Sequence, residues 1–181
     1  IRKRKNRGIM EDKGYIQIYT GNGKGKTTCA LGLSLRAICN GYSVFFGQFL
    51  KGQDYSELKA VESLQNFTIR QYGTANFVFN NPSEKDIQMA KEGLSDIKRE
   101  MLTNNYDIIV MDEVNIAIHK NLITVDDVID VLNLRPENTE IILTGRYAHE
   151  KLIAIADLVT EMKEIKHYYT QGVMSRAGIE R

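Results

Sequence analysis

The sequence predicts an α/β protein in which helices cover both faces of a mostly parallel sheet, a three-layer sandwich. Three observations lead there. Short β-branched apolar runs alternate with helix-like segments along the chain, the pattern of βαβ units and a parallel sheet. Several of these runs are apolar at nearly every position, as strands covered on both faces must be. The first run passes through a Gly-rich turn, "TGNGKGKTT" (residues 20–28), directly into an Ala/Leu-rich helix.

In chain order, strands are expected over residues 15–19 ("YIQIY"), 43–48 ("SVFFGQ"), 67–71 ("FTIRQ"), 107–111 ("DIIVM") and 140–144 ("EIILT"). A shorter candidate covers 157–162 ("DLVTEM"). Helices are expected near 26–39, 54–65, 83–103, 124–133 and 149–156. No repeat, low-complexity tract or linker divides the chain, and 181 residues suit one domain with a real core. The organisation expected is a basic arm over residues 1–13 and a single domain over 14–181.

Composition narrows the function classes. Apolar residues are 43% and charged residues 26%, ordinary for a globular protein. A net charge of +1 gives no electrostatic footprint for nucleic acid. No apolar run approaches the roughly 20 residues of a membrane helix, and "IRKRKNRGIMEDKG" has no apolar signal-peptide core. Cys29 and Cys39 fall in the first predicted helix, pointing in different directions, and are expected as buried free thiols. A reducing, cytoplasmic setting is the corresponding expectation.

Two stretches sit outside the alternation. "IRKRKNR" packs five basic residues into seven, read either as a solvated arm or as one that folds over anionic phosphates. Residues 72–82 ("YGTANFVFNNP") join a strand to a helix yet carry Tyr72, Phe77 and Phe79. A long aromatic loop is either functional or tucked into the core.

The Gly-rich turn carries the chemistry. The general phosphate-loop pattern is G-x-x-x-x-G-K-[ST] between a strand and a helix. Here Gly25-Lys26-Thr27 is intact, but the first Gly slot holds Thr20 and Gly21 comes one place late. Gly21, Gly23 and Gly25 let backbone N–H groups turn onto phosphate oxygens, and the helix N-terminus adds its dipole. Lys26 is placed to neutralise phosphate charge, Thr27 to ligate Mg²⁺, and Lys24 adds a second cation. Downstream, "YDIIVMDEVNIAI" ends an apolar strand on Asp112-Glu113, the carboxylates expected to share the metal and water-positioning work. Ligands of open α/β sheets lie outside the carboxyl ends of the strands, so both features face one crevice. The fold expected is P-loop NTPase-like (RecA-like). His119, His149 and His167 have no ligand spacing and read as surface or supporting residues.

Several pieces together resemble the ATP:corrinoid adenosyltransferases of cobalamin synthesis and salvage. They are "YTGNGKGKTTCALGLSLRA", "GQFLKG", "DIIVMDEVN", "IILTGRYAHEKLIAIADLVTEM" and "IKHYYTQGVMSRAGIE", in the family's order from Gly14 to Glu180. The shifted phosphate loop is itself typical of that family. The resemblance implies transfer of the 5′-deoxyadenosyl group of ATP to Co(I) of a reduced corrinoid, with release of triphosphate. It implies that Gly21, Asn22, Gly23, Lys24, Gly25, Lys26, Thr27 and Thr28 bind the triphosphate. It further implies that Thr27 and Glu113 flank Mg²⁺ (or Mn²⁺) with Asp112 in support, making Lys26, Thr27 and Glu113 the catalytic set. Asn22 and Arg36 match positions used around the nucleoside and its phosphates, and Phe77 and Phe79 fall in the loop that lies against the corrinoid. Expected partners are ATP, a corrinoid or cobalamin, a flavodoxin-like reductase and a second copy in a homodimer, with no nucleic acid and no membrane.

Two other classes share the phosphate loop and "MDE". One is a P-loop kinase or ATPase acting at the γ-phosphate. The other is a nucleotide-dependent switch or RecA-like motor subunit. The ordered set of family pieces separates the transferase from both.

Overall fold

In a computed structural model the described residues are 12–74 and 82–180, without the side chains of Val61 and Glu62. Six strands form one sheet: β1 (Ile16–Thr20), β2 (Val44–Phe49), β3 (Phe67–Tyr72), β4 (Ile108–Asp112), β5 (Glu140–Thr144) and β6 (Leu158–Glu161). Their order is β3-β2-β4-β5-β1-β6, and every neighbouring pair is parallel. All carboxyl ends therefore meet at one edge. The register sets Asp112 beside Gln48 of β2, and Met111 beside Leu143, which brings Thr144 next to Asp112 on the other side.

The helices are α1 (Lys26–Cys39), α2 (Ala60–Ser63), α3 (Glu84–Thr103), α4 (Val114–His119), α5 (Val125–Leu132) and α6 (Glu150–Ile155). Period-two alternation sorts the strand side chains between two cores. Ile109, Met111, Phe45, Ile141 and Leu143 pack with Leu94 and Ile97 of α3 and Val128 of α5. Ile108, Val110, Phe46 and Ile142 pack on the opposite face with Ala30 and Ala37 of α1. This is the three-layer α/β sandwich the sequence predicts. Ser83 and Thr124 start α3 and α5 with capping boxes closed by Asp86 and Asp127, each satisfying N–H groups that helix ends leave unpaired.

Some expectations need correction. The region 54–65 is a 3-10 turn over Ser56–Lys59 followed by the single turn of α2, not one continuous helix. Helix α4, directly after the strand tip, is not foreshadowed in the sequence because the six residues "VNIAIH" are too short a run to display a helical period. Cys29 and Cys39 are exposed, not buried. The inward stripe of α1 runs through Lys26, Ala30, Ser34 and Ala37, and helical spacing leaves both thiols off that stripe. No helix among the described residues is long and apolar enough to cross a membrane.

Candidate active site

Residues 21–25 turn the chain from β1 into α1, and two glycines set its path. Gly21 has φ +93° and Gly25 φ +118°, the left-handed region that side chains disfavour. Gly23 needs space instead: its N–H donates to the Met162 carbonyl at 2.6 Å, and a Cβ there would lie 2.8 Å from that oxygen. The loop thus rests directly on the backbone that follows β6. Helix α1 has no side-chain cap and no acid in its first turn, so its leading N–H groups and positive dipole end suit an anion.

Lys26 is buried, and its Nζ donates to the carbonyls of Gly21 at 2.8 Å and Gly23 at 2.7 Å. Burial lowers its pKa, partly offset by the charges of Glu113 and Asp112. The ammonium is held inside the loop that it is to share with phosphate.

Facing the loop, the β4 tip carries a fully buried Asp112 with four donors. Thr27 Oγ1 at 2.8 Å and Thr144 Oγ1 at 2.6 Å share Oδ1. Lys51 Nζ at 2.9 Å and Gln48 Nε2 at 3.3 Å share Oδ2. Two donors on each oxygen use the carboxylate's ordinary capacity. Asp112 is therefore a hub for its neighbours. Glu113 turns away from it with φ +61°, while its N–H donates to Thr144 Oγ1 at 3.0 Å. Burial and the adjoining Asp112 charge raise the Glu113 pKa, opposed by Lys51, Lys26 and Arg146.

Two clefts open on this constellation. One, of about 390 Å³, is lined by Thr27, Thr28, Lys51, Tyr55 and Glu113. The other, of about 450 Å³, is lined by Asn22, Gly23, Lys24, Lys26, Arg146 and again Glu113. Glu180 from the chain's far end borders both. It accepts from Lys24 at 2.8 Å and from Arg176 at 3.0 Å, and Tyr168 hydrogen-bonds both Lys24 and Glu180. These charged donors hold the Glu180 carboxyl well below the usual carboxylate range.

The structure thus gathers Gly21, Asn22, Gly23, Lys24, Gly25, Lys26, Thr27, Thr28, Asp112 and Glu113 at one edge. Arg36 is not among them. It lies in the last turn of α1, and ten residues of helix at 1.5 Å each put it about 15 Å along the axis from Lys26. There it lines a separate, more apolar cleft of about 530 Å³ with Gln17, Tyr42 and Glu140. That cleft is the larger, but it lies toward the strands' amino-terminal edge, away from the phosphate loop. Phe77, Phe79 and most of the basic arm lie outside the described residues. His149 and His167 accept from the N–H two residues on, and His119 stacks on Tyr147 at 4.3 Å; His167 and Tyr147 also line the cleft beside Lys24 and Lys26.

Gln48, Lys51, Thr144, Arg146, Tyr168 and Glu180 join the site from three of the stretches that carry the family resemblance, although the sequence assigned none of them a role. For the first four, the available signal was position just at or beyond a strand's carboxyl end. Thr27 and Glu113 are hard-oxygen donors beside a phosphate cradle, a set that fits Mg²⁺ completing its shell from phosphate and water. Among the described residues no cluster of three His, Cys, Asp or Glu side chains competes with that arrangement.

An all-parallel sheet with a phosphate loop after β1 and a carboxylate pair after β4 defines a P-loop nucleotide-binding protein. The fold is similar to that of the flagellar accessory protein FlaH from Methanocaldococcus jannaschii, with TM-score 0.57 over 82% of this chain and 71% of that one at 16% identity. Residues 12–181 match the family model described as ATP:corrinoid adenosyltransferase BtuR/CobO/CobP. The chain is 31% identical to the corrinoid adenosyltransferase of Escherichia coli K12, covering 94% of this chain and 87% of that protein. It is 32% identical, with the same coverage, to the corrinoid adenosyltransferase CobA of Salmonella typhimurium. The chain belongs to the ATP:corrinoid adenosyltransferase family.

Proposed function

We propose that this chain moves the 5′-deoxyadenosyl group of ATP onto Co(I) of a corrinoid and releases triphosphate. The observation that carries the reading is the phosphate loop with Lys26 and Thr27 facing the Asp112-Glu113 tip across one crevice, in a chain that matches this family over residues 12–181. The cobalt is substrate, not a resident ion. Its electron pair forms the Co–C bond at C5′ as the C5′–O bond breaks, and the departing oxygen keeps that bond's pair.

The protein's share is placement and charge. Loop N–H groups and Lys26 hold the triphosphate and stabilise the charge that builds on it as it leaves. Thr27 and Glu113 would hold Mg²⁺, which when bound supplies a Lewis acid to the same oxygens. Asp112 accepts the Thr27 proton in a hydrogen bond, so the hydroxyl's lone pairs face away from Asp112. The reacting carbon must lie in line with cobalt at about 3–3.5 Å, which puts C5′ and not the γ-phosphorus toward the second substrate.

Further parts of the reading rest mainly on family likeness, with the ion also supported by the Thr27 and Glu113 oxygens and the cytoplasmic setting by the free thiols. They are Phe77 and Phe79 against the corrinoid, a flavodoxin-like electron donor, a homodimer, Mg²⁺ or Mn²⁺ as the ion, and a cytoplasmic setting. Phe77→Ala is expected to impair transfer to cob(II)alamin held with a reductase more than transfer to free Co(I); equal losses would reduce the loop to packing.

The decisive assay incubates the protein with Mg-ATP and chemically reduced cobalamin, identifies the phosphate product and follows the corrinoid spectrum. Triphosphate together with a cobalt–carbon bond is the expected result. ADP and phosphate with an unchanged corrinoid would replace this reading with kinase or ATPase chemistry at the γ-phosphate.

A further inference from the structure

Lys51 is a largely enclosed cation at the site that the phosphate loop does not supply. Its Nζ lies 2.9 Å from Asp112 Oδ2 and 3.6 Å from Glu57, and 4.9 Å from the Tyr55 ring centre. Only 13% of its side chain is exposed. The loop lysines are engaged elsewhere, Lys26 on the carbonyls of Gly21 and Gly23 and Lys24 on Glu180.

The backbone aims this side chain by an unusual route. Leu50, between the end of β2 and Lys51, has φ +59°, a conformation that costs energy for a branched residue. Its N–H is fixed to the Tyr72 carbonyl at 3.0 Å. Two glycines make room for the turn: a Cβ on Gly73 would lie 2.5 Å from Leu50 carbonyl carbon, and one on Gly52 would lie 2.2 Å from Gly73 O. A strained turn clamped on both sides delivers one ammonium to one carboxylate oxygen.

That oxygen matters because Asp112 and Glu113 are adjacent carboxylates with different surroundings. Lys51 and Gln48 occupy Asp112 Oδ2 and so fix Oδ1 toward Thr27 and Thr144. For Asp112 to bind a metal ion directly it would have to give up one of these donors, and a largely desolvated cation is the costliest to strand. Glu113 has no such constraint and lines both clefts.

We propose that Lys51 is a positioning residue that separates the roles of the two carboxylates. It holds Asp112 as the acceptor that orients the Thr27 hydroxyl, leaving Glu113 as the metal ligand. This rests on the proposed reading in which Thr27 and Glu113 hold Mg²⁺.

The test is Mn²⁺ binding to the ATP-loaded protein without corrinoid, so that nothing turns over, read from the loss of free-ion EPR signal against an ATP-only blank. Lys51→Met is expected to raise the half-saturating Mn²⁺ about tenfold or more, the usual effect of losing a group that orients a ligand. Lys51→Arg keeps the charge and is expected to restore most of the binding. In an Asp112→Asn background the same Lys51→Met change is expected to add little, because the two act through one contact. If Lys51→Met does not fold, Lys51→Gln takes its place in the same measurements. A folded variant that binds Mn²⁺ like wild type, or that loses the same factor with and without Asp112, overturns the proposal. Wild-type protein that binds no Mn²⁺ overturns the metal-site reading as well, so the two failures are distinguishable.

Discussion

The Thr27 hydroxyl at the start of α1 lies 2.8 Å from Asp112 Oδ1 at the tip of β4, across 85 residues of sequence. The contact joins the two nucleotide-site motifs directly. Its partners reach further: Thr144 ties the same oxygen to β5, and Lys51 ties the other to the turn after β2. Four strand ends are thereby cross-linked through one carboxylate and one loop.

Lys26→Ala is expected to lower turnover by at least about 10²–10³-fold, the scale of losing one preorganised charge-stabilising donor. The side chain makes its hydrogen bonds to loop carbonyls and anchors no core element, so far-UV circular dichroism should be unchanged. Triphosphate release in the presence of reduced cobalamin measures the loss. Normal turnover would remove the loop lysine from the mechanism.

Asp112→Ala is expected to cost about 3–5 kcal/mol in urea unfolding, the range for breaking a buried ion pair from one side. The variant strands Lys51, whose remaining acid, Glu57, is 3.6 Å away. Adding Lys51→Met should recover part of the loss, because the unpaired charge goes with it. A double variant less stable than Asp112→Ala would contradict this account.

Glu113 makes stability depend on pH in the metal-free protein. Its folded pKa is raised by burial and by Asp112, so within the window above its ordinary value the folded state binds more protons than the unfolded. Stability from this group is then full below the ordinary value and lost as pH rises through the raised one. Glu113→Gln removes that loss. Its thermal midpoint in chelator should exceed wild type at about pH 8 and approach it near about pH 4.

Gly93→Ala tests the packing under the start of the 73–82 connection. A methyl group there would lie 2.6 Å from Tyr72 Cγ. The ring cannot easily yield, since its hydroxyl is bound to Asp96 at 3.0 Å and Phe49 lies against it. Overpacking of about 1–3 kcal/mol exceeds the roughly 1 kcal/mol that alanine gains over glycine inside a helix. The urea midpoint should fall with an unchanged slope; a rise would mean that Tyr72 moves freely.

Legibility in the sequence followed locality. Strands such as Glu140–Thr144 were visible because the apolar run and the strand coincide, and residues 21–28 were visible because a phosphate cradle is built from consecutive residues. Lys51 stands in the quoted "GQFLKG", but its role was not visible there, because it depends on the Leu50 turn and on which strand neighbours β2. Glu180 lies in the quoted tail stretch "IKHYYTQGVMSRAGIE", but its contact with Lys24 was not legible, because 156 residues separate the two. Arg36 went the other way, a plausible basic residue on the right helix carried by three helical turns to the wrong end. The exposed thiols show the same limit, since an Ala/Leu-rich helix does not state which of its small residues face inward.

Lys26 held by two carbonyls of its own loop sets a threshold for anion binding at the cradle. An anion must offset two hydrogen bonds from a charged donor, each worth about 1.5–3 kcal/mol net, before the ammonium changes partners. A monovalent ion such as chloride offers too little charge at too few points, whereas a polyphosphate chain presents several oxygens at once to the helix N-terminus and the lysine. Selectivity for a long, highly charged leaving group thus begins with a lysine that is already occupied.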